Sequence, residues 1–252
     1  MDERQVVQQV LRGLTRSTGG WIVTPNADIL RICAADPTAA ILVKQATCVV
    51  ADGMPVIWAA RIAGTPLPER VTGASLIFSI SAALAQQSGS IYLIGGGPGV
   101  ADQAAVNLAT DFSGLRVVGT DSPPYGFEHD PAAVFEIAAG IRATDPDVVF
   151  VGLGFPKQER LIGRLRETCP RQWFVGCGAA VPIAAGVLPR APRWAQRVGI
   201  EWLHRLAIEP RRLARRYLID DLPFVVALLT AAAWHRLTAR RRRASGASEA
   251  HP

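Results

Sequence analysis

Several patterns that mark particular protein classes are missing from this chain of 252 residues. The four cysteines include no CxxC pair and the four histidines are scattered, so no cluster of His, Cys and carboxylate residues has the spacing of a metal site. The apolar run at 222–234 has 13 apolar or small residues, fewer than the ~20 that a membrane-spanning helix requires. We therefore expect no bound metal or other cofactor, and we expect this run to form a buried or interfacial helix.

The first residues also lack the pattern of a signal peptide, because MDERQVVQQVLRG is charged and has no continuous apolar core. Three of the four cysteines sit in or beside apolar stretches, which is typical of small buried hydrophobic residues in a reducing compartment. Both observations favour a cytoplasmic location.

Charge is unevenly distributed along the chain. Residues 190–243 contain 13 Arg and 4 acidic residues, a net charge of +9, whereas residues 1–189 carry a net charge of −2. With 49% hydrophobic and 19% charged residues, the chain can bury a substantial core and is not a disordered protein. The basic C-terminal end indicates an anionic partner, either nucleic acid or an anionic membrane surface.

Six short apolar runs predict the strands of a parallel sheet. They are GGWIVTPN, ATCVVADG, SIYLIGGG, GLRVVGT, PDVVFVGLG and QWFVGCGAA. The runs are β-branched, continuously apolar and separated by stretches long enough for a helix, which is typical of strands covered by helices on both faces. Helices are predicted at 74–87, 99–112 and 131–143, the last starting with Asp130 as N-cap and proline after it. The predicted fold is α/β and Rossmann-like, with a mostly parallel sheet.

The chain is predicted to divide into an α/β core at 1–189, a basic helical C-terminal appendage at 190–243 and a disordered tail at 244–252. Helical spacing with Arg on alternating faces predicts the appendage, and Pro210 and Pro223 are expected to break it into segments. Because the appendage carries the excess of positive charge, we expect it to contact the anionic partner.

Polar and glycine residues follow the predicted strands, at the edge where ligands bind in doubly wound α/β proteins. The stretches are Thr24-Pro25-Asn26-Ala27-Asp28, Asp52-Gly53, Gly95-Gly96-Gly97-Pro98-Gly99, Gly154-Phe155-Pro156-Lys157-Gln158-Glu159-Arg160 and Gly176-Cys177-Gly178-Ala179-Ala180. One edge of the sheet is therefore predicted to be lined with glycine, amide and charged groups.

The glycine-rich loop at 95–99 precedes a predicted helix. Glycines let backbone N–H groups approach a ligand and a helix N-terminus favours an anion, so the loop indicates a phosphate or nucleotide site. Its spacing does not match GxGxxG, and a tight turn is the alternative interpretation. Lys157, one of only two lysines, stands at a strand–helix junction that suits a diphosphate, with a solvated helix start as the alternative.

Asp52 ends an apolar strand, although burying an unpaired carboxylate is costly. A carboxylate at the end of a strand and facing a cleft can act as a general base that accepts a proton from an attacking hydroxyl. The residues alone leave two other roles open, as N-cap of the helix that starts near Pro55 or as a turn former.

Several stretches together resemble the WecG/TagA/CpsF family of bacterial glycosyltransferases, in order along roughly residues 20 to 220. They are TPNADIL, VVADGMPVIWAAR, RVTGASL, YLIGGGPGVA, DVVFVGLGFPKQER and GCGAAVPIAAGVLPRAPRWAQRVGIEWLHRLAIEPRRLARRYL. The resemblance implies an inverting hexosyltransferase that moves a sugar, of the N-acetylmannosamine type, its uronic acid or another hexose, from a UDP-sugar. The implied acceptor is a polyprenyl-diphosphate-linked saccharide used for exopolysaccharide, capsule, teichoic acid linkage units or common antigen.

The resemblance also implies roles for particular residues, without an obligatory metal. The family's catalytic aspartate, threonine, asparagine and glutamine fall on Asp52, Thr24, Asn26 and Gln158. Its appendage arginines, thought to reach the membrane and close over the active site, fall among Arg205, Arg211, Arg212, Arg215 and Arg216. Further substrate contacts are expected from Gly95, Gly96, Gly97, Gly99, Lys157 and Gly178. The implied location is cytoplasmic, peripherally associated with the inner face of the plasma membrane, and the oligomeric state is left open.

Two departures from the family pattern concern the donor. The family often has Gly-x-Asp-Leu where this chain has Ser75, and Phe-Asp-Phe where it has Pro182, so two acidic groups near the donor site are absent.

Two other functions are weighed against the enzyme: a non-catalytic nucleotide-binding module and a nucleic-acid binder. The latter is disfavoured because the chain lacks aromatic residues interleaved along a basic sheet face and any known docking motif.

Overall fold

One parallel sheet organises the molecule, and the computed structural model describes it within residues 1–248, apart from the side chains of 193, 197, 198, 212 and 240–248. Its six strands have the order β2-β1-β6-β5-β3-β4, and every neighbouring pair is parallel. The strands are β1 Gly20–Val23, β2 Cys48–Val49, β3 Ser90–Gly95, β4 Arg116–Asp121, β5 Val148–Gly152 and β6 Trp173–Gly176. The prediction of a Rossmann-like α/β fold is confirmed.

Helices connect the strands and cover both faces of the sheet. In the core they are α1 Glu3–Thr15, α2 Ala27–Ala35, α3 Pro37–Lys44, α4 Met54–Ala63, α5 Gly73–Ala85, α6 Val100–Asp111, a 3₁₀ turn at Phe127–His129, α7 Pro131–Thr144, α8 Lys157–Thr168 and α9 Ala180–Ala184. The three helices predicted from the sequence correspond to α5, α6 and α7. As predicted, the Asp130 side chain caps α7, where it accepts a hydrogen bond from the Ala132 amide at 2.9 Å.

The alternation of side chains along β5 shows why the strands read as continuously apolar. Val148 and Phe150 point to the core that α1, α5, α6 and α9 cover, whereas Val149 and Val151 point to the core beneath α3, α7 and α8. Both faces are buried, so each successive residue must be apolar. Burying one such side chain contributes roughly 1.5–3 kcal/mol, and the two layers hold the strand ends in fixed positions.

The appendage is helical throughout its described length. Its elements are α10 Arg193–Val198, α11 Glu201–Ile208, α12 Pro210–Ala214, a π-helical segment Arg215–Asp221 and α13 Leu222–Ser248. The sequence predicts a disordered tail at 244–252, but residues 244–248 belong to α13. Residues 249–252 lie outside the described residues.

Pro210 separates two helices as predicted, but Pro223 does not. The π-helical segment runs directly into α13, and Pro223 is the second residue of that helix. A proline inside an α-helix lacks one N–H donor and its ring clashes with the carbonyl four residues earlier. The wider π turn before it shifts the hydrogen bonds by one residue, so the helix continues through the proline.

The appendage lies against α4 and α2 and leaves much apolar surface exposed. The Arg236 guanidinium approaches the carbonyl oxygens of Arg61 and Ile62, at the end of α4, at 3.4 and 3.3 Å. In the part of the chain described here, one helix, Arg215–Ala239, is long and apolar enough to span a membrane, with a mean hydropathy of 1.5 and 11% burial. By length and composition alone, this helix is long enough to span a membrane, whereas the run at 222–234 by itself is too short.

Candidate active site

The ends of β1 and β2 form one corner of the candidate site. The backbone after β2 stays beside the backbone after β1, because Val50 donates to the Val23 carbonyl at 3.1 Å and Asp52 donates to the Pro25 carbonyl at 2.9 Å. On its other side, Val71 donates to the Ala51 carbonyl at 2.9 Å. Asp52 is thus fixed between the end of β1 and the segment that leads into α5.

Asp52 does not cap the helix that follows it. The N-cap of α4 is Gly53, at φ +95°, and no side chain caps this helix end. The left-handed φ favours glycine at this position. The Asp52 carboxylate instead accepts a hydrogen bond from the backbone of Gly73, at the start of α5. The N-cap alternative for Asp52 is therefore excluded.

The surroundings of Asp52 strongly perturb its ionisation. Burial raises the pKa of this carboxyl to about 7; Arg70 and Arg205 act to lower it and Glu201 acts to raise it. A carboxylate of this kind is ionised in part at neutral pH and accepts a proton more readily than an exposed aspartate. The geometry and the charge environment together suit a general base.

Asn26 and Thr24 lie beside Asp52 at the end of β1. The Asn26 side-chain oxygen accepts a hydrogen bond from the Ile29 amide at 3.0 Å and so caps α2. The segments that follow β1 and β2 are in contact, because a Cβ atom built on Gly53 would lie 3.6 Å from the Cβ of Asn26. Thr24 is buried at the same corner. The structure therefore brings these three sequence-predicted residues together.

Gln158 occupies a position between two other strand ends. Its Oε1 accepts hydrogen bonds from the amides of Gly154 and Gly178, both at 3.1 Å. These amides belong to the loops after β5 and β6, so the side chain joins the two loops. Its Nε2 donates to Glu159 at 2.8 Å. A catalytic role for Gln158 stays a prediction, and the contacts present here position the loops.

The sequence analysis missed Glu159, which is fully buried behind this loop pair. Burial raises the pKa of Glu159 to about 7, while the hydrogen bond from Gln158 lowers it. Its Oε2 has no hydrogen-bond partner among the described residues. A Cβ atom on Gly176 would come within 2.9 Å of Glu159 Oε1, so a side chain there would have to displace the end of Glu159. Helical spacing was the one sequence signal for its burial: Glu159 lies three residues before the buried Ile162 and therefore on the same face of α8.

The glycine-rich loop adopts backbone conformations that other residues rarely adopt. Gly95, Gly96 and Gly99 have φ angles of +122°, +82° and +75°. A Cβ atom on Gly95 would collide with the carbonyl oxygen of Gly152, where β3 and β5 lie side by side. No side chain caps the N-terminus of α6 behind the loop. The Val100 amide donates to the Gly97 carbonyl at 3.0 Å. The amides that follow it in the first turn of α6 are available to an anion, as the phosphate interpretation requires.

Lys157 is engaged at the rim of the same edge. Its Nζ lies 2.5 Å from a carboxylate oxygen of Glu128 and 4.2 Å from the ring centroid of Tyr125. The Glu128 carboxylate raises the pKa of Lys157, and Lys157 in turn lowers the pKa of Glu128. A phosphate at this position would have to compete with Glu128 for the lysine.

The predicted appendage arginines occupy different environments. Arg205 acts on Asp52 electrostatically, and its Nε is buried without a hydrogen-bond partner among the described residues. Arg216 lies 3.8 Å from Asp28 and donates a hydrogen bond to the Tyr217 hydroxyl at 3.3 Å. Arg211 and Arg215 are exposed, and the side chain of Arg212 lies outside the described residues. Of the four predicted arginines whose side chains the structure describes, only Arg205 thus adjoins Asp52.

Arg70 and Glu201 were not selected by sequence reasoning, although both adjoin Asp52. Arg70 Nη1 lies 3.0 Å from Glu201 Oε2, and Arg70 Nη2 donates to the Gln196 carbonyl at 3.3 Å. Both residues fall inside motifs that the sequence analysis quoted, RVTGASL and GIEWLHRL, but nothing local marks them as partners.

Within residues 1–248, His, Cys, Asp and Glu side chains form no group of three or more able to hold a metal ion.

The comparison with known families decides the class of this protein. The family model described as glycosyl transferase WecG/TagA/CpsF family matches residues 1–238. The chain belongs to this family. A relative from Bacillus spizizenii, N-acetylglucosaminyldiphosphoundecaprenol N-acetyl-beta-D-mannosaminyltransferase, is 30% identical over 216 residues, which cover 86% of this chain and 81% of the relative. The predictions of the family and of a glycosyltransferase enzyme are confirmed.

The two departures from the WecG/TagA/CpsF pattern lie at helix starts beside the site. Ser75 takes part in the N-cap of α5, where its amide donates to the Thr72 hydroxyl at 3.0 Å and its hydroxyl donates to the Thr72 carbonyl at 3.0 Å. Pro182 lies in the short helix α9, and its carbonyl accepts from Val187 at 3.0 Å. Both positions are uncharged, so two carboxylates of the family pattern are absent from these helix starts.

Proposed function

We propose that this glycosyltransferase moves a sugar from a UDP-sugar to a polyprenyl-diphosphate-linked saccharide during synthesis of a cell-surface polysaccharide. The acceptor is suggested by the name of the Bacillus relative, which acts on N-acetylglucosaminyldiphosphoundecaprenol. The same name makes N-acetylmannosamine the first donor sugar to test. The observation that carries the proposal is the carboxyl of Asp52, held at a strand end with a pKa raised to about 7 by burial.

In the proposed reaction, Asp52 is the general base. An acceptor hydroxyl oxygen forms a bond to the anomeric carbon of the donor sugar as the bond from that carbon to the UDP oxygen breaks. The hydroxyl proton passes to Asp52, and UDP leaves with the bonding electron pair. Attack opposite to the leaving group inverts the anomeric configuration. Asn26 and Thr24, at the neighbouring strand end, would orient the reacting sugars.

The diphosphate of the donor would be bound by backbone amides of the loop at 95–99 and by the N-terminus of α6. Stabilising the negative charge that develops on the leaving UDP lowers the barrier most when the donors are already in place. Lys157 would supply positive charge there, which means exchange of its partner Glu128, and Arg205 would supply positive charge closer to Asp52. No metal is invoked in this step.

The lipid acceptor would be met at the membrane surface by the appendage. Exposed apolar side chains recur every three or four residues along its long helix, with Ile219, Leu222 and Val226 exposed by 66%, 52% and 55%. The arginines before this stripe can pair with anionic headgroups or with the lipid diphosphate. We therefore propose a peripheral location on the cytoplasmic face of the plasma membrane.

The test measures UDP release from a panel of UDP-sugars with polyprenyl-diphosphate-linked N-acetylglucosamine as acceptor. Turnover with UDP-N-acetylmannosamine is expected first, and EDTA should leave it unchanged. Asp52→Asn keeps the shape of the side chain but cannot accept the proton, so turnover should fall roughly 10²- to 10⁴-fold while UDP affinity stays the same.

Asp111→Asn provides the matched control, because Asp111 is exposed at the far end of α6, towards the opposite edge of the sheet. This variant should retain full turnover. Equal activity in Asp52→Asn and wild type would remove Asp52 from the mechanism, and release of UDP without any acceptor would contradict the transfer reaction.

A further inference from the structure

An ion pair links the appendage to the segment that precedes α5. Arg70 Nη1 and Glu201 Oε2 are 3.0 Å apart, and their side chains are only 17% and 15% exposed. The second guanidinium nitrogen of Arg70 donates to the carbonyl of Gln196, in α10. Arg70 is thus held by two successive helices of the appendage, 126 and 131 residues along the chain.

The same groups surround Asp52. The charged groups that act on its carboxylate are Arg70, Glu201 and Arg205, and the backbone of Gly73 adds a hydrogen bond. Of these three charged residues, Glu201 and Arg205 lie on α11 of the appendage, while Arg70 belongs to the core. If the appendage were displaced, Arg70 would face Asp52 without its own partner. An arginine paired directly with a carboxylate makes that carboxylate a weaker base.

We propose that Glu201 is a positioning residue, which by pairing with Arg70 keeps the guanidinium from closing on Asp52. Docking of the appendage then sets the charge balance at the base, in addition to any contact that its arginines make with the acceptor. The proposal rests on the assignment of Asp52 as the base under the proposed function.

The direction of the effect follows from the charges. Glu201 raises the pKa of Asp52 and Arg70 lowers it. Removing the charge of Glu201 therefore removes a group that raises this pKa and frees a group that lowers it, so both changes act in the same direction. A purely structural role for the ion pair would alter the amount of folded enzyme without moving the ionisation of Asp52.

The test is Glu201→Gln, measured as the dependence of kcat/KM on pH. The acid limb of the profile should move to lower pH by about one unit, and kcat above pH 8 should fall about tenfold because the base is weaker. Carboxyl carbon NMR should show the same shift in the titration of Asp52, identified by the signal that Asp52→Asn removes. Glu201→Asp, which keeps the charge, should restore the wild-type profile in part.

A double-variant cycle shows whether Glu201 acts through Arg70. In an Arg70→Gln background, Glu201→Gln should shift the profile by much less than it does alone. The double variant also leaves neither Arg70 nor Glu201 as a partly buried charge without its partner, so it carries the test should Glu201→Gln alone not fold. Glu136→Gln, at an exposed position of α7, is the control for loss of one carboxylate.

The outcomes separate the two proposals. Turnover that survives Asp52→Asn would refute the proposed function at its base. Loss of turnover in Asp52→Asn, together with an unchanged pH profile and unchanged Asp52 titration in folded Glu201→Gln, would overturn only the role of Glu201.

Discussion

The core and the appendage of this glycosyltransferase are held together by different forces. In the core, strands such as β5 are buried on both faces, and side chains such as Phe150 are fully enclosed by apolar neighbours. The appendage contacts the core in part through ion pairs, Arg70 with Glu201 at 3.0 Å and Arg31 with Asp221 at 3.1 Å. In the second pair, the burial of Asp221 opposes the attraction of Arg31. It also keeps large apolar residues exposed, Trp234 by 68%.

This difference indicates a division of labour. Apolar packing is insensitive to pH and modest salt, so the core can hold the strand ends of the site in place. Ion pairs at partly exposed positions respond to pH, salt and competing anions such as phosphates. We therefore expect the position of the appendage to respond to substrate and to a membrane more than the position of the core does.

The largest expected effect is that of removing the appendage. Truncation after Pro189 should abolish turnover with the lipid acceptor and binding to liposomes, because both Arg205 and the exposed helix are lost. The remaining core should still fold and bind UDP, since its two apolar layers and the loop at 95–99 are retained. Circular dichroism and UDP calorimetry check the fold and the donor site, and full turnover in the truncated protein would refute the division described above.

The next effect concerns binding of the appendage to anionic membranes. We expect a quadruple change to Gln to weaken partition onto anionic liposomes at least tenfold, since each cation near such a surface is worth ~1 kcal/mol. The four positions are Arg211, Arg212, Arg215 and Arg216. Increasing salt should weaken binding of the wild type in the same way.

The control for this effect changes net charge equally but in the core. It replaces four exposed arginines by Gln, namely Arg4, Arg16, Arg142 and Arg171. This variant should bind anionic liposomes as the wild type does. If both variants lose binding equally, the overall charge of the protein accounts for the loss. Binding that does not depend on salt and is equal for neutral and anionic liposomes would refute the electrostatic explanation.

The smallest expected effect is a pH dependence of docking that involves Asp221. Burial and the neighbouring Asp28 together raise the pKa of Asp221 to about 6, against the opposing effects of Arg31 and Arg216. A carboxyl with a raised pKa in the docked state stabilises that state below its ordinary pKa, and this contribution is lost as pH rises through about 6. Docking should therefore weaken as pH rises from the ordinary pKa of 3.8 to about 6, and change little above that.

Hydrogen exchange of residues 215–239, corrected for the intrinsic effect of pH, measures this change. Asp221→Asn cannot ionise, so protection in this variant should vary less with pH than in wild type. The neighbouring Asp220→Asn serves as control and should behave as wild type. Protection that increases as pH rises through 6 would have the wrong sign for this account.

Sequence reasoning located the polar strand ends of the candidate site because their signals are local. Thr24, Asn26 and Asp52 follow apolar runs directly, and the parallel arrangement then requires these strand ends to meet at one edge. Whether Asp52 capped a helix could not be decided locally. That answer depended on the φ angle of Gly53 and on the hydrogen bond from Gly73.

Other site residues gave no local signal. Glu159 is a charged residue in a charged helix start, and such residues are exposed by default, so its complete burial was not predictable. Pro223 was expected to end a helix, but a π-helical segment before it allowed the helix to continue. Here hydrogen-bond geometry over a whole turn, and not the identity of one residue, determined the outcome.

The sequence by itself determined the succession of strands and helices along the chain, the burial of both sheet faces and the polar edge at the strand ends. These features follow from hydrophobic periodicity and from residues that are adjacent along the chain. Only the tertiary structure decided which charges face one another. Arg70 and Glu201 are 131 residues apart in the chain, and the interaction of two charges depends on their distance in space and on how much water surrounds them.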